Sequence, residues 1–537
     1  MLKSPFTPRN PKDFRVLLVY PNVQMSSLMP QSIGIFTALF KNAGYEVDIF
    51  DCTYYQDIHF NSSFKQLANE EGISADEMRE KNKSQKNYDA DELLTKGGAP
   101  KKSNIKEDFI NKVNNFKPDL IMLSVVESTY FLSLDLLRSI PENKRTYKTL
   151  FGGVFPTYAA DKMIVNELVD YVCRGEGEEA IVEICERFIA GGRIDNVMNF
   201  TIKGDGKIFK NKLRPGMDLN TVPVPDWDLF DPGSLYRPMQ GKIYRTVGVE
   251  TQRGCPYTCT FCNSPGNNVI YKDETAKIFH RKKSIKRMKE ELDFLVKKYD
   301  PELVYFLSDT FLAMSHKEFD EFKEMYSDYK IPFWMNTRAE TVTEHRAAGL
   351  EEMNMLRCDI GIEHGNADYR KNYLKRNVSD EVQIRAFEMM EDHKYVAKAN
   401  CIIGMPDETR ELVFDTIEFT RKLPKSMEAA GAFIFAPYHG TPLRELAIKK
   451  GYITEDCIVS LGITGGDKSL LNMPHLPSEE IGGIAKTFAY YTKFPKDRWN
   501  EIKIAEKFTP EGEDMHKKLG EEFDKTYRSK DAIDAVM

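Results

Sequence analysis

The sequence predicts an α/β chain: a doubly wound, Rossmann-like sheet first, then a partial (β/α)6 barrel, then a mostly helical C-terminal region. Three observations carry that expectation. Residues 14–190 alternate short apolar runs with amphipathic stretches, the pattern of βαβ units on a parallel sheet. From Tyr244 onward six further strand candidates recur, each followed by a helical stretch. Between them lies Val222-Pro-Val-Pro-Asp-Trp-Asp-Leu-Phe-Asp-Pro232, a stiff connection rich in proline. The expected divisions are residues 1–220, with a polar insertion at 56–106, a linker at 221–242, the barrel at 243–445 and the C-terminal region at 446–537.

In the first domain Arg15–Tyr20 reads as a buried strand ended by Pro21, and Ser32–Gly44 as a helix stopped by glycine. Tyr45–Asp51, Asp119–Val126, Thr149–Gly153 and Asp170–Cys173 supply four more strands. Ligands of such sheets bind outside the carboxyl ends of the strands. Those ends carry Ser124-Val-Val-Glu127-Ser128-Thr129, Gly152-Gly153 and Arg174-Gly175-Glu176-Gly-Glu178. No G-x-G-x-x-G follows the first strand, which argues against a dinucleotide site. The insertion is rich in Lys, Glu and Asn, with short helices expected at 64–70 and 75–81; it reads as a surface elaboration or as a cap over a ligand.

The barrel strands are expected at Tyr244–Thr251, Leu303–Ser308, Pro332–Asn336, Arg357–Ile362, Ala399–Ile403 and Glu428–Phe435. In α/β barrels the chemistry sits at the C-terminal ends of the strands. Those ends carry a cysteine loop, Ser308-Asp309-Thr310, Asn336-Thr-Arg338, Gly361-Ile-Glu363-His-Gly365, Gly404-Met-Pro-Asp-Glu408 and Pro437-Tyr438-His439-Gly-Thr-Pro442. Each has a bland reading beside the functional one. Asp309 caps the following helix, Arg338 makes a surface ion pair, and His364 and His439 are structural or solvent-facing. Glu363 is harder to dismiss, because a carboxylate flanked by glycines gains little structurally. Tyr438 is a candidate substrate contact. Leu471–Pro477 and Phe488–Trp499 are expected to cover the open side of the barrel, and 508–537 to form a charged peripheral helix or a partly disordered tail.

The cysteine loop, Arg253-Gly-Cys-Pro-Tyr-Thr-Cys-Thr-Phe-Cys262, sets Cys255, Cys259 and Cys262 in a C-x3-C-x2-C array. Three thiolates this close can converge on one soft-metal centre. A closed zinc or iron–sulfur site normally takes four protein ligands, so three leave a position open. A zinc knuckle with a distant fourth ligand, or three core cysteines, are the alternatives. The other six cysteines (Cys52, Cys173, Cys185, Cys358, Cys401 and Cys457) form no C-x-x-C pair and read as small buried hydrophobes.

Composition excludes several classes. A net charge of −7 over 537 residues offers no basic footprint for nucleic acid. No apolar run approaches the roughly 20 residues of a membrane span, and the N-terminus lacks a signal-peptide core. Nine cysteines make no disulfide scaffold at this length, so a reducing cytoplasm is expected. No Ser/His/Asp or Cys/His arrangement stands out.

The C-x3-C-x2-C spacing, with Phe261 before its third cysteine, resembles the signature of the radical SAM superfamily. Gly152-Gly-Val154-Phe-Pro-Thr157, Val169–Glu178 and the prolines before an acidic-aromatic turn are similar to the B12-dependent branch of that family. The resemblance implies a [4Fe-4S] cluster on Cys255, Cys259 and Cys262 whose open iron chelates S-adenosylmethionine (SAM). It implies SAM contacts at Phe261, Asp309, Arg338, Glu363 and Gly404. It implies cobalamin contacts at Ser124, Glu127, Ser128, Gly152, Gly153, Val154, Gly175 and Glu176, with the cobalamin facing the barrel mouth. A D-x-H-x-x-G motif is missing after the first strand; Asp57-Ile-His59 is a near miss with Ser62 in the glycine position, so the resemblance implies no histidine axial ligand from this domain. Tyr438-His439 departs from the family's more frequent proline-containing form.

The function implied is methyl transfer from methylcobalamin to a substrate radical, in an oxygen-sensitive cytoplasmic enzyme. A non-methylating rearrangement or cyclisation is the alternative, and a non-enzymatic zinc- or ligand-binding protein the alternative of another class. The expected partners are a small-molecule substrate, with a peptide as second choice, and a low-potential donor such as flavodoxin or ferredoxin. Neither nucleic acid nor a membrane is expected.

Overall fold

The computed structural model describes residues 1–22, 29–55, 101, 103–240, 242–425, 427–460 and 468–527. The insertion expected at 56–106, including Asp57, His59 and both expected helices, lies outside the described residues except for 101 and 103–106. The chain divides into two compact units. The first is Met1–Arg237 with Gly266–Arg281 and Ser460–Gly462; the second is Pro238–Pro265, Lys282–Val459 and Ile463–Met537.

The first unit runs β1 Arg15–Tyr20, α1 Gln31–Asn42, β2 Glu46–Asp51, α2 Ile105–Phe116, β3 Leu120–Ser124, α3 Tyr130–Ser139, β4 Lys148–Gly152, α4 Val154–Ile164, β5 Tyr171–Cys173 and α5 Glu178–Ile189. A hairpin, β6 Phe200–Gly204 and β7 Lys207–Lys210, follows. Among the described residues these strands make one sheet in the order β2-β1-β3-β4-β5-β6-β7. Strands β1 to β5 pair in parallel. The order reverses between β1 and β3, the switch point of a doubly wound sheet. Continuous apolar runs suit strands covered on both faces, and Val16 to Val19 are fully buried. The antiparallel hairpin lies beyond residues 14–190, the stretch for which a parallel sheet is expected. Its cause is local: Asp205 (φ 51°) and Gly206 (φ 70°) form a two-residue turn with both residues left-handed, which folds one strand directly onto the next.

The proline-rich connection is no free linker. Trp227 is buried, its Nε1 donates to Pro30 O at 3.2 Å, and Asp226 N donates to Gly34 O at 3.0 Å, so the segment is fastened to α1.

The second sheet begins with β8 Tyr236–Met239 and β9 Lys242–Glu250. Next come α6 Asn263–Thr275, α7 Ile285–Tyr299, β10 Leu303–Leu307, α8 His316–Tyr326, β11 Phe333–Arg338, α9 Glu344–Glu352 and β12 Met355–Glu363. Then follow α10 Ala367–Asn372, α11 Asp380–Glu391, β13 Val396–Ile403, α12 Arg410–Thr420, β14 Glu428–Ile434 and α13 Pro442–Lys449. The helices α14 Ser478–Lys493, α15 Trp499–Ala505 and α16 Pro510–Thr526 close the described chain. The sheet order is β14-β13-β12-β11-β10-β9-β8, with β9 to β14 all parallel. Six parallel strands in chain order are the six βα units of a partial barrel, preceded by an extra strand, β8, that the sequence reading lacks. Helix α14 packs against β14, covering that edge.

The alternation along these strands separates two faces. Phe306, Met335, Cys358, Ile360 and Ile362 are fully buried, whereas Tyr305, Trp334, Asn336, Lys398 and Asn400 are only half-buried. The half-buried face carries a polar floor. The Trp334 ring stacks on Tyr305 at 4.1 Å, and its Nε1 donates to Asp359 at 2.9 Å. Arg357 bridges Asp359 at 3.0 Å and Glu428 at 2.6 Å, and Lys398 also pairs with Glu428 at 2.9 Å.

Candidate functional site

The cysteine loop follows β9, and each of its three sulfurs has a hydrogen-bond partner. Cys255 Sγ lies 3.6 Å from Thr310 Oγ1, Arg338 Nη1 donates to Cys259 Sγ at 3.0 Å, and Ser264 N donates to Cys262 Sγ at 3.4 Å. Burial raises the Cys255 thiol and pushes Cys262 up to about 12. A bound metal centre would reverse that preference, since a coordinating thiol is deprotonated outright. The donor set therefore fits an iron–sulfur cluster: three thiols, each supplied with the second-layer hydrogen bond that tunes such ligands. Among the described residues no three His, Cys, Asp or Glu side chains are arranged to hold a single metal ion.

The turn after β10 is tied to this loop. Ser264 Oγ donates to Asp309, while Gln252 Nε2 donates to Ser308 Oγ at 2.6 Å and Thr310 O at 2.8 Å. Asp309 does not cap the next helix; Ser315 does, in a capping box with Glu318. Arg338 is no surface residue either. It is 7% exposed, pairs with Glu340, and its guanidinium carbon sits 3.8 Å from the centre of the Tyr257 ring. Phe261 is half-buried beside the third cysteine.

Glu363 ends β12 in a left-handed conformation (φ 67°) at a register shift against β13. Its carboxylate folds back over Gly361 and lies 3.7 Å from Arg376 Nη1. Burial raises its pKa while Arg376 and Arg338 pull it down. The adjacent His364 is structural, as its bland reading had it. Nδ1 accepts from Asn366 N at 3.0 Å, so Nε2 carries the proton toward Glu408, also at 3.0 Å. Glu408 in turn accepts from Met405 N at 2.9 Å, which holds the turn containing Gly404. Tyr438 is half-buried, and the His439 carbonyl accepts from Asn263.

In the first unit the ends of β3 and β4 lie together, because Val125 N donates to Gly152 O at 2.7 Å. Ser124 Oγ lies 3.3 Å from Ser32 Oγ at the start of α1. Gly153 has φ 122°, and a Cβ there would stand 2.4 Å from Val125 O, so only glycine fits. Val126 (48%) and Val154 (45%) are exposed apolar side chains at these ends. Ser128, between them in sequence, is half-buried, so polar and apolar side chains are presented together at these strand ends. Glu127 is buried. Gly175 and Glu176 are fixed by hydrogen bonds within the first unit. Gly175 N donates to Thr157 Oγ1 at 2.9 Å, and Glu176 N donates to Tyr271 Oη at 2.7 Å. The Glu176 carboxylate accepts from Met217 N and Arg281, which fastens Gly266–Arg281 into the first unit.

Sequence reasoning missed Arg376, Tyr257, Ser264 and Ser32. Tyr257 and Ser264 had a visible signal, being inside or beside the cysteine array. Arg376 had none.

The Radical SAM superfamily model matches residues 249–420, and the B12 binding domain model matches residues 87–185. An uncharacterised methyltransferase of Pyrococcus horikoshii is 27% identical over 64% of this chain and 72% of its own. The anaerobic magnesium-protoporphyrin IX monomethyl ester cyclase of Rubrivivax gelatinosus is 24% identical over 59% of this chain and 57% of its own. The chain thus spans little more than half the length of that cyclase. Among solved structures, the radical SAM methyltransferase TsrM from Kitasatospora setae, with cobalamin and a [4Fe-4S] cluster bound, superposes with a TM-score of 0.57 at 13% identity over 95% of this chain and 99% of its own. The cobalamin-dependent radical SAM enzyme OxsB superposes at 0.60 and 15% identity, over 97% of this chain and 72% of its own. At these identities the structures establish the shared fold.

Proposed function

We infer that this chain, which pairs a B12-binding domain with a radical SAM domain and so belongs with the cobalamin-dependent radical SAM enzymes, methylates a carbon or phosphorus of a small substrate. When bound, SAM at the cluster supplies a 5′-deoxyadenosyl radical and methylcobalamin supplies the methyl group. The chain's own residues bind, orient and exclude. Cys255, Cys259 and Cys262 hold the cluster, and Thr310, Arg338 and the Ser264 amide tune their sulfurs. Glu363, held beside Arg376, accepts from the SAM amine or ribose, with Asp309, Phe261 and Gly404 as further contacts. Ser124, Gly153 and Val154 line the corrin cradle, and Tyr438 stands as the substrate contact. Among the described residues, Arg357 and Lys398 both pair with Glu428 on the half-buried face of the sheet.

One observation carries this reading: a three-thiol loop with every sulfur hydrogen-bonded, in a chain whose other unit keeps a glycine cradle. The similarity to a methyltransferase over most of that protein's length favours methylation. The cyclase similarity supports the second reading, a cobalamin-dependent reaction without net methylation. An anaerobic assay across candidate metabolites separates them. Methylated product together with S-adenosylhomocysteine is expected; deoxyadenosine with no methylated product would favour the second reading. In Cys259→Ala, cluster absorbance and SAM cleavage should both vanish while cobalamin stays bound. Persistent SAM cleavage in that variant, or wild-type protein holding zinc without iron or sulfide, overturns the assignment.

A further inference from the structure

Parallel pairing sorts the half-buried face of the second sheet into rows, because register partners on neighbouring strands point to the same side. Tyr305, Trp334 and Arg357 make the lowest row. Asn336, Asp359, Lys398 and Glu428 make the next. The third runs Arg338, Gly361, Asn400 and Gly431, and above it Ile402 pairs with Phe433.

The third row has room on one side only. The Glu363 carboxylate fills the space over Gly361. Over Gly431 an added Cβ would meet nothing nearer than Lys398 Cε at 3.5 Å, so that side stands open. Asn400 lies between the two glycines, half-buried, and its carboxamide makes no hydrogen bond among the described residues. Neither of its polar atoms is sealed from solvent. It therefore offers donors and an acceptor from one planar group. In the rows below, the charges are spent on one another: Glu428 pairs with Arg357 and Lys398, and Arg357 also with Asp359. In the row above, the Phe433 ring is 57% exposed on the same face.

We propose that Asn400 and Phe433 form the substrate-recognition niche of this barrel, and that the group it takes is an uncharged planar amide, a carboxamide or lactam. The proposal rests on the radical SAM reading, which sets SAM at Glu363, on the strand next to Asn400. A carboxamide donates its N–H to Asn400 Oδ1 and accepts from Nδ2, while its flat face lies against the Phe433 ring. A carboxylate has no hydrogen to give Oδ1, and an ammonium has no lone pair for Nδ2. The paired charges of the row below supply neither with a counter-ion, so both lose hydration without return.

The test uses the full chain, purified anaerobically with its cluster, and benzamide, benzoate and benzylamine as matched probes. Dissociation constants are read by ligand-observed nuclear magnetic resonance, with no turnover required. Benzamide should bind about tenfold or more tightly than either charged probe. Asn400→Leu keeps the volume and removes both polar atoms, and should weaken benzamide about tenfold. Gly431→Val fills the open side and should do the same; both variants are checked by melting curve against wild type. SAM affinity, read by equilibrium dialysis, should stay at the wild-type value in both. Equal binding of the three probes, no benzamide binding by wild type, or unchanged benzamide affinity in the folded variants overturns the proposal. A matching loss of SAM affinity in Asn400→Leu also overturns it, by making Asn400 a SAM contact. Absence of deoxyadenosine from wild type with titanium(III) citrate would instead sink the radical SAM reading, and the probe comparison still decides the niche.

Discussion

Gly361 leaves the space in which the Glu363 carboxylate rests: a Cβ at Gly361 would stand 2.1 Å from Glu363 Oε1. The strand reaches this arrangement through a register shift and a left-handed glutamate, two unusual features within three residues. Arg376 completes it from the other side, donating to the Gly361 carbonyl and lying 3.7 Å from the carboxylate. The unusual backbone and the 3.7 Å ion pair with Arg376 together set where the carboxylate lies.

Gly361→Ala should therefore displace Glu363 and weaken SAM binding by tenfold or more, about 1.4 kcal/mol. Glu363→Gln should weaken it similarly without moving the backbone. Equilibrium dialysis with labelled SAM checks both, and undiminished affinity in the alanine variant would remove Glu363 from the SAM site.

Arg338 places a positive charge and an N–H on Cys259 Sγ. Both favour the more negative, reduced form of a cluster held there. In Arg338→Gln the midpoint potential should move to more negative values while iron content stays the same. A redox titration followed by electron paramagnetic resonance reads the shift, and an unmoved or raised potential contradicts the assigned role.

Gly153→Ala should abolish cobalamin binding, because its Cβ would meet Val125 O and its φ of 122° is closed to alanine. Iron loading should be unaffected. The visible corrin spectrum after gel filtration is the readout; a full complement of cobalamin in a folded variant would move the cradle elsewhere.

Glu428 should make part of the stability depend on acid. Burial alone would raise its pKa, but Arg357 and Lys398 outweigh burial and hold it at about 2, below its ordinary 4.5. The unfolded chain takes up that proton first as pH falls. The contribution is thus complete above about pH 4.5 and lost as pH drops toward about 2. Its side chain is 35% exposed, so solvent screening reduces the effect. The Tm difference between wild type and Glu428→Gln should be largest near neutrality and shrink through that window; a constant difference would show that the pairing does not control the titration.

Much of this architecture was legible in the chain. Apolar runs gave β1 to β5 and β9 to β14 to within about three residues at each end, because strand burial is written in local sequence. The β6–β7 hairpin was missed although Asp205-Gly206 signals it, and β8 lacks a distinctive pattern. The return of Gly266–Arg281 to the first unit was hidden for a different reason. It depends on Tyr271 and Arg281 meeting Glu176, 95 and 105 residues away in sequence.

By itself the sequence determined the six βα units of the barrel and the three thiols at the end of its first strand, since periodicity and spacing are local properties of the chain. Only the tertiary structure decided what surrounds those thiols. Thr310 reaches Cys255 across 55 residues and Arg338 reaches Cys259 across 79, and Tyr257 finds the Arg338 guanidinium only once β9 and β11 share a sheet. Contacts over such separations are set by how strands close against one another, and no pattern within a single segment encodes them.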